Sequence, residues 1–253
     1  LLLVAPYSRK PAELTVQGTV LSKPYVAMTE AVMKTFGVEI SSASDFSKFT
    51  INCQKYTAQN YQVEGDASSA SYFFAAAAVC GGNVTVTNVP DNSLQGDAVL
   101  VDILAQMGCR VDRTNGITVS GPEKLRGVEV DMGDCPDVVP TLAVVAANAY
   151  GRTIINNIAH LRIKECDRLH VMATELTKIG ARVQELPDAL IIEGAEPGTT
   201  PMHGAEIETY NDHRIAMSFA VAGLTVPGVK IRGEECVAKS FPDFWERFIK
   251  LYE

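Results

Sequence analysis

The sequence predicts an α/β (α+β) fold of repeated βαβαββ units, with internal helices enclosed by sheets. Three observations predict it. Helical patterns over 28–36, 99–107 and 169–179 each end at a glycine, Gly37, Gly108 and Gly180, and run into a strand pattern. Those glycines lie 71 and 72 residues apart, and so near-constant a period marks an internal repeat. Between them stands a second kind of helix, built from small residues, over 69–79, 138–150 and 213–224. Finally, Ile117-Thr118-Val119-Ser120 and Leu190-Ile191-Ile192-Glu193 belong to strand pairs whose alternation has period two.

In chain order, Leu1-Leu2-Leu3-Val4-Ala5 is too short for a membrane span or a signal core and reads as a strand entered abruptly. The first residue is not Met, which suggests a chain cut from a longer one or processed. Ser22-Lys23-Pro24-Tyr25 opens the first amphipathic helix, and its hydroxyls suit a polyol as well as a helix start. Residues 1–63 read as the end of one domain, and a new series starts at Glu64-Gly65-Asp66-Ala67-Ser68-Ser69 and continues to 253. The first small-residue helix, with Phe73, Phe74, Ala75 to Ala78 and Val79, has almost no polar face and should be internal. The amphipathic helices should lie outside, against sheets.

Arg162-Ile163-Lys164-Glu165-Cys166-Asp167-Arg168 precedes the last amphipathic helix, from about 167 to 179, with Leu169, Met172, Leu176 and Ile179 on one face. Asp167 is placed to cap it, and Gly180 to end it. Cations delivered to a helix N-terminus favour a phosphate or carboxylate. Glu165, set among them, is an acid or base whose charge is under local control. The plain alternative is a solvated charged turn. Asp137 stands ahead of another internal helix, as a cap or a catalytic carboxylate, with Pro140 in the first turn. His213 and Arg214 open the third. Lys239 precedes Phe241-Pro242 and by itself reads as a surface lysine. If the repeats are related by rotation, these helix starts gather on one face, and their dipoles attract anions.

The chain has 253 residues, a net charge of −8 and a pI near 5.1, which argues against nucleic-acid or anionic-membrane partners but not against small anions in a local basic cleft. No G-x-G-x-x-G follows a strand and no G-x-x-x-x-G-K-[ST] occurs. Six cysteines, with neither CxxC nor zinc-ligand spacing, read as reduced and mostly buried thiols of a cytoplasmic protein. Cys166 has no base visibly dedicated to it.

Glu64-Gly65-Asp66-Ala67-Ser68-Ser69-Ala70-Ser71-Tyr72-Phe73, Ser93-Leu94-Gln95-Gly96-Asp97, the 162–168 segment, Thr209-Tyr210-Asn211-Asp212-His213-Arg214 and Lys239-Ser240-Phe241-Pro242-Asp243 resemble, in order and spacing, the 5-enolpyruvylshikimate-3-phosphate synthase family. The resemblance covers the whole chain. It implies an inside-out α/β barrel of the enolpyruvyl transferase type, two lobes of three βαβαββ units each. Here 1–63 would be the remaining part of one lobe and 64–253 most of the other. It implies transfer of the enolpyruvyl group of phosphoenolpyruvate to the 5-hydroxyl of shikimate 3-phosphate, through a tetrahedral adduct, with no metal or organic cofactor. By position, Asp137 and Glu165 resemble the catalytic carboxylates. Ser22, Tyr25, Asp137, His160 and Lys164 resemble shikimate 3-phosphate contacts, and Arg168, His213, Arg214 and Lys239 resemble the phosphoenolpyruvate pocket. His160 departs from the family pattern, which more often has Asn. The family's N-terminal Lys-Ser pair, Gly-Asn-Ala-Gly-Thr loop and Ser-Ser-Gln segment are not in this sequence. The missing N-terminal portion is therefore an expected partner. Two alternatives remain: a relative acting on UDP-N-acetylglucosamine, and an inactive or non-autonomous fragment.

Overall fold

Backbone conformation in a computed structural model, which describes residues 1–194 and 201–252, follows the predicted punctuation closely. The chain divides into two compact units, Leu1–Glu64 with Asn92–Gly96, and Gly65–Asp91 with Asp97–Glu253.

In the first unit, β1 (Ala12–Thr15), helix α1 (Lys23–Thr35), β2 (Ser41–Ser42) and β3 (Lys48–Ile51) form a helix and an antiparallel sheet of order β1-β3-β2. Two expectations fail here. Leu1 to Ala5 make no strand. They turn into a 3-10 segment at Ala5–Tyr7, where Pro6 has no N–H to give a ladder. Nor does a strand start right after Gly37. The Val38 N–H closes back on Met33 O at 2.9 Å, and Glu39 exchanges hydrogen bonds with the Gln54 side chain at 3.0 and 2.8 Å. With those groups committed, pairing begins only at Ser41. Helix α1 starts five residues earlier than its apolar pattern, because Pro24 suits a first helical turn.

The second unit runs α2 (Ala67–Cys80), β4 (Asn83–Val86), α3 (Val99–Gln106), β5 (Arg110–Asp112), β6 (Ile117–Ser120), β7 (Glu129–Asp131), α4 (Val139–Ala147), β8 (Arg152–Asn156), α5 (Arg168–Lys178), β9 (Arg182–Glu185), β10 (Leu190–Glu193), β11 (Glu206–Glu208), α6 (His213–Thr225), β12 (Lys230–Arg232) and α7 (Phe244–Ile249). The middle repeat, β7 through β10, is a full βαβαββ unit with sheet order β7-β8-β10-β9. Its β7 and β8 are parallel and its other pairs antiparallel. The first repeat shows β4-β6-β5, and the third the parallel pair β11-β12.

Helices α2, α4 and α6 pack on one another and form the centre of the core. All nine residues of α4 are buried, and α2 buries ten of its fourteen. Each Val, Leu or Phe so removed from water contributes about 1.5–3 kcal/mol. Asp66 caps α2 by accepting from Ser68 and Ser69 N–H, and Gly81 ends it in the left-handed conformation, φ 69°. Phe244 of α7 stacks edge-on against Tyr72 at 5.8 Å and against Phe73 at 6.2 Å, which docks the C-terminal helix onto α2. The second small-residue helix differs in extent: α4 ends at Ala147, three residues short of the expected 150. The cysteines are all free, as expected of reduced thiols, but only Cys109 and Cys135 are buried. Cys53 and Cys80 are exposed, Cys80 because it closes the last turn of α2.

Two glycines show how tightly sheet and internal helix meet. A Cβ on Gly121, just after β6, would run into the carbonyl oxygen of Ala77 in α2, and one on Gly194, just after β10, into that of Ala149 beyond α4. Equivalent places in successive repeats thus depend on a missing side chain. Gly121→Ala should lower stability by about 1–3 kcal/mol, as overpacking does. Urea unfolding checks this, and an unchanged midpoint would refute the close approach.

Candidate functional site

Arg168 is the first residue of α5, and its side chain is 1% exposed. Asp167 caps the helix by accepting from His170 N–H at 3.0 Å and is itself held by Arg162. This fixes where the helix starts and therefore where Arg168 points. Its Nε donates to Asp212 Oδ2 at 2.6 Å and Nη1 to Asp137 Oδ1 at 2.9 Å. Nη2 donates to Glu165 Oε2 at 2.7 Å and to Asp212 Oδ1 at 3.3 Å. A guanidinium is a planar fork of N–H donors, and carboxylate acceptors set around it are what it needs when desolvated.

Each carboxylate comes from a different start of an internal or amphipathic helix. Asp212, fully buried, caps α6 by accepting from Arg214 N–H at 2.9 Å. Asp137 lies in a 3-10 turn, Pro136–Val138, leading into α4, one residue ahead of Val138, the N-cap position of that helix. It accepts from Arg214 Nη2 at 3.0 Å and lies 3.9 Å from Lys164 Nζ. Glu165, in the loop before α5, also meets Lys239 Nζ at 3.3 Å. Asp137, Lys164, Glu165, Arg168, Arg214 and Lys239 are thus brought together as expected. His213 is buried, with Nδ1 3.8 Å from Asp212 Oδ1. His160 is half-buried, and its Nε2 is enclosed without a hydrogen-bond partner. Ser22 and Tyr25 belong to the first unit. Ser22 precedes α1 at φ 53° without capping it through its side chain, and Tyr25 lies in the helix's first turn.

Charge states follow from these contacts. Burial alone would raise the Asp137 pKa, but Arg214, Arg168 and Lys164 outweigh it and hold the carboxyl below its ordinary value. The same contest at Glu165 is won by Arg168 and Lys239, with a lowered pKa. Both are carboxylates at neutral pH. Burial, reinforced by neighbouring Arg214, lowers the pKa of His213, so that its imidazole is neutral. Burial and Lys164 do the same for His160. Burial and the adjoining Asp212 push the Cys166 thiol up to about 12, which removes it as a nucleophile.

One expectation needs correction in detail. Arg168 is not an open anion receptor in this state, because every edge of its fork is met by a carboxylate. An incoming anion has to exchange with Asp137 or Glu165, or bind at Arg214, Lys164 and Lys239 around them. Sequence reasoning missed Asp212 and Asp97. An aspartate before a helix reads as a cap, and Asp212 is one, but it also grips a side chain 44 residues away. Asp97, 3% exposed, accepts from Ser68 Oγ while its Oδ1 has no partner. Among the described residues no cluster of three or more His, Cys, Asp or Glu is arranged to hold a metal ion.

The sequence profile of the family described as EPSP synthase (3-phosphoshikimate 1-carboxyvinyltransferase) matches residues 1–248. The 3-phosphoshikimate 1-carboxyvinyltransferase of Nostoc punctiforme is 47% identical over 255 residues, covering 100% of this chain and 58% of that protein. The enzyme of the same name from Methanoregula boonei is 46% identical, covering 100% and 59%. Among solved structures, EPSP synthase from Acinetobacter baumannii superposes with a TM-score of 0.83 at 32% identity, over 98% of this chain and 58% of that one. The enolpyruvyl transferase NikO of Streptomyces tendae, at 23% identity and a TM-score of 0.74 over 99% and 57%, shares the fold. The chain therefore spans a little under three fifths of the length of these relatives.

Two outcomes test the site as built. Asp212→Ala removes at once the fully buried acceptor of Arg168 Nε and the cap of α6, and should cost about 3–5 kcal/mol in urea unfolding. A loss below 1 kcal/mol would mean that Arg168 is solvated. Burial raises Asp97 from 3.8 to about 6, with Asp137 adding to it against the Ser68 hydrogen bond and Arg214. A raised carboxyl binds a proton in the native state that the unfolded chain has released. Its contribution is therefore complete below about pH 3.8 and lost as pH rises through about 6. The stability of the native sequence minus that of Asp97→Asn should fall by up to about 1.4 kcal/mol per pH unit across that window. A flat difference would contradict the shift.

Proposed function

The chain belongs to the EPSP synthase family, and on that premise we propose that it carries the carboxylate and basic part of an enolpyruvyl-transfer site. The reaction moves the enolpyruvyl group of phosphoenolpyruvate to the 5-hydroxyl of shikimate 3-phosphate and releases phosphate, by addition and then elimination. One observation supports this above the rest: Asp137 and Glu165, the two proton-exchanging candidates, are held by one buried guanidinium, with further cations beside each.

Asp137, kept ionised, takes the proton of the attacking hydroxyl. Glu165 delivers a proton to the methylene carbon in addition and recovers it in elimination. A low resting pKa makes Glu165 a poor acid, and the substrate supplies the correction. When the phosphate of phosphoenolpyruvate engages Lys239, or its carboxylate engages Arg168, Glu165 loses a cationic neighbour and its pKa rises. Arg214 and neutral His213, at the α6 N-terminus, complete the phosphoenolpyruvate side. Lys164 and His160 serve shikimate 3-phosphate. We read the first unit as part of one lobe and the second as most of the other. The setting is the cytoplasm, to which free thiols are suited. Among the described residues no helix is long and apolar enough to cross a membrane.

A second reading, that the chain does not turn over alone, is favoured by its covering 58% of its relatives. Phosphate release from phosphoenolpyruvate with shikimate 3-phosphate separates the two. It is measured for this chain alone and for this chain joined to the preceding portion of the Nostoc relative. Release in either format supports the assignment, and Arg168→Ala should lower kcat/KM at least a hundredfold through loss of charge-assisted bonds. Silence of both folded proteins, or release with UDP-N-acetylglucosamine instead, overturns it.

A further inference from the structure

Two consecutive residues ahead of α6, Tyr210 and Asn211, are left-handed, with φ of 53° and 57°, and neither is glycine. Such a pair costs conformational energy and persists only where the surroundings hold it. What it achieves is the placement of Asp212, the deepest partner of Arg168.

The holding contact comes from α5 itself. Glu175 lies two turns beyond Arg168, on the same face, and is fully buried. Its Oε1 accepts from the Tyr210 hydroxyl at 3.1 Å and from Lys178 Nζ at 2.8 Å, and its Oε2 accepts from Glu208 N–H at 3.2 Å. On the other side Thr209 Oγ1 donates to Gly233 O at 3.3 Å, and Asp212 N–H donates to Thr209 O at 2.9 Å. The segment 208–212 is thus gripped by one helix at two points, Glu175 and Arg168, which straddle the left-handed pair.

We infer that Glu175 and Tyr210 are positioning residues, a clamp that holds Asp212 against Arg168 and so sets where the guanidinium meets Asp137 and Glu165. Neither touches the reacting groups. The catalytic weight of the clamp rests on the proposed role of Arg168, but its existence can be read without substrate.

The readout is exchange of the Arg168 Nε–H, the proton donated to Asp212, followed by NMR on the ¹⁵N-labelled chain well below its Tm. Tyr210→Phe and Glu175→Gln should each speed that exchange about tenfold, the loosening expected from losing one hydrogen bond to a charged acceptor. Thr177→Gly, on the exposed side of the same helix, lowers helix stability without touching the clamp and should leave the rate unchanged. If Glu175→Gln does not fold, Tyr210→Phe, which removes one hydroxyl, decides alone. An unchanged Arg168 rate in Tyr210→Phe, or an equal acceleration in Thr177→Gly, overturns the inference. Failure of the chain to use phosphoenolpyruvate would overturn the functional reading and leave this exchange test unaffected.

Discussion

A guanidinium stripped of nearly all its water recovers its hydration energy only from a complete set of acceptors, since removing an ion from water costs several kcal/mol even after relaxation. Each of the three nitrogens of Arg168 has a carboxylate acceptor, and these come from three separate places: the turn into α4, the loop into α5 and the cap of α6. The requirement is strict in direction as well as number. Asp212 must arrive from behind, Asp137 from one side and Glu165 from the other. The α5 N-cap, the left-handed pair before α6 and the 3-10 turn before α4 can all be understood as answers to it.

The same arrangement explains how an acidic chain presents a basic site. With a net charge of −8, long-range attraction of anions is not available. Around Arg168, however, Lys164, Arg214 and Lys239 join it against Asp137, Glu165 and Asp212, so cations exceed carboxylates locally. The pairs are exchangeable at the rim, where Lys239 and Glu165 are partly exposed, and fixed at the base, where Asp212 is fully buried. Under the proposed function, exchangeable pairs would let an anionic substrate displace carboxylates from their cations and thereby change their acidity, and the fixed pair would keep the geometry unchanged meanwhile.

Much of the architecture was legible because it is written in local signals. The glycine period predicted the repeat, and the middle repeat has the predicted order of elements, from β7 through β10. The Ala-rich run predicted a buried α2. What could not be read were choices made by distant partners. Pro6 prevented the strand that Leu1 to Ala5 suggested, and Gln54, fifteen residues on, delayed the strand after Gly37. The motif residues were visible as polar loops before helices, but the pairing of Arg214 with Asp137 across 77 positions is a tertiary fact. Asp212 was hidden for a different reason: its local role as a cap is a sufficient explanation of its presence, so nothing in the sequence points to the second role.

Repetition and differentiation together account for the site. Each repeat begins its internal helix with an aspartate nearby, Asp66 for α2, Asp137 for α4 and Asp212 for α6. In the first, the carboxylate is spent on capping Ser68 and Ser69 N–H groups. In the third, it caps and also anchors Arg168. In the second, the helix is entered through a 3-10 turn after Pro136, so Val138 takes the N-cap position and Asp137, one residue earlier, meets the guanidinium groups of Arg168 and Arg214. A small change of backbone at one of three related positions therefore converts a structural carboxylate into one whose proton affinity is governed by its neighbours. A repeat that kept the capping geometry throughout would have three stable helix starts and no candidate base.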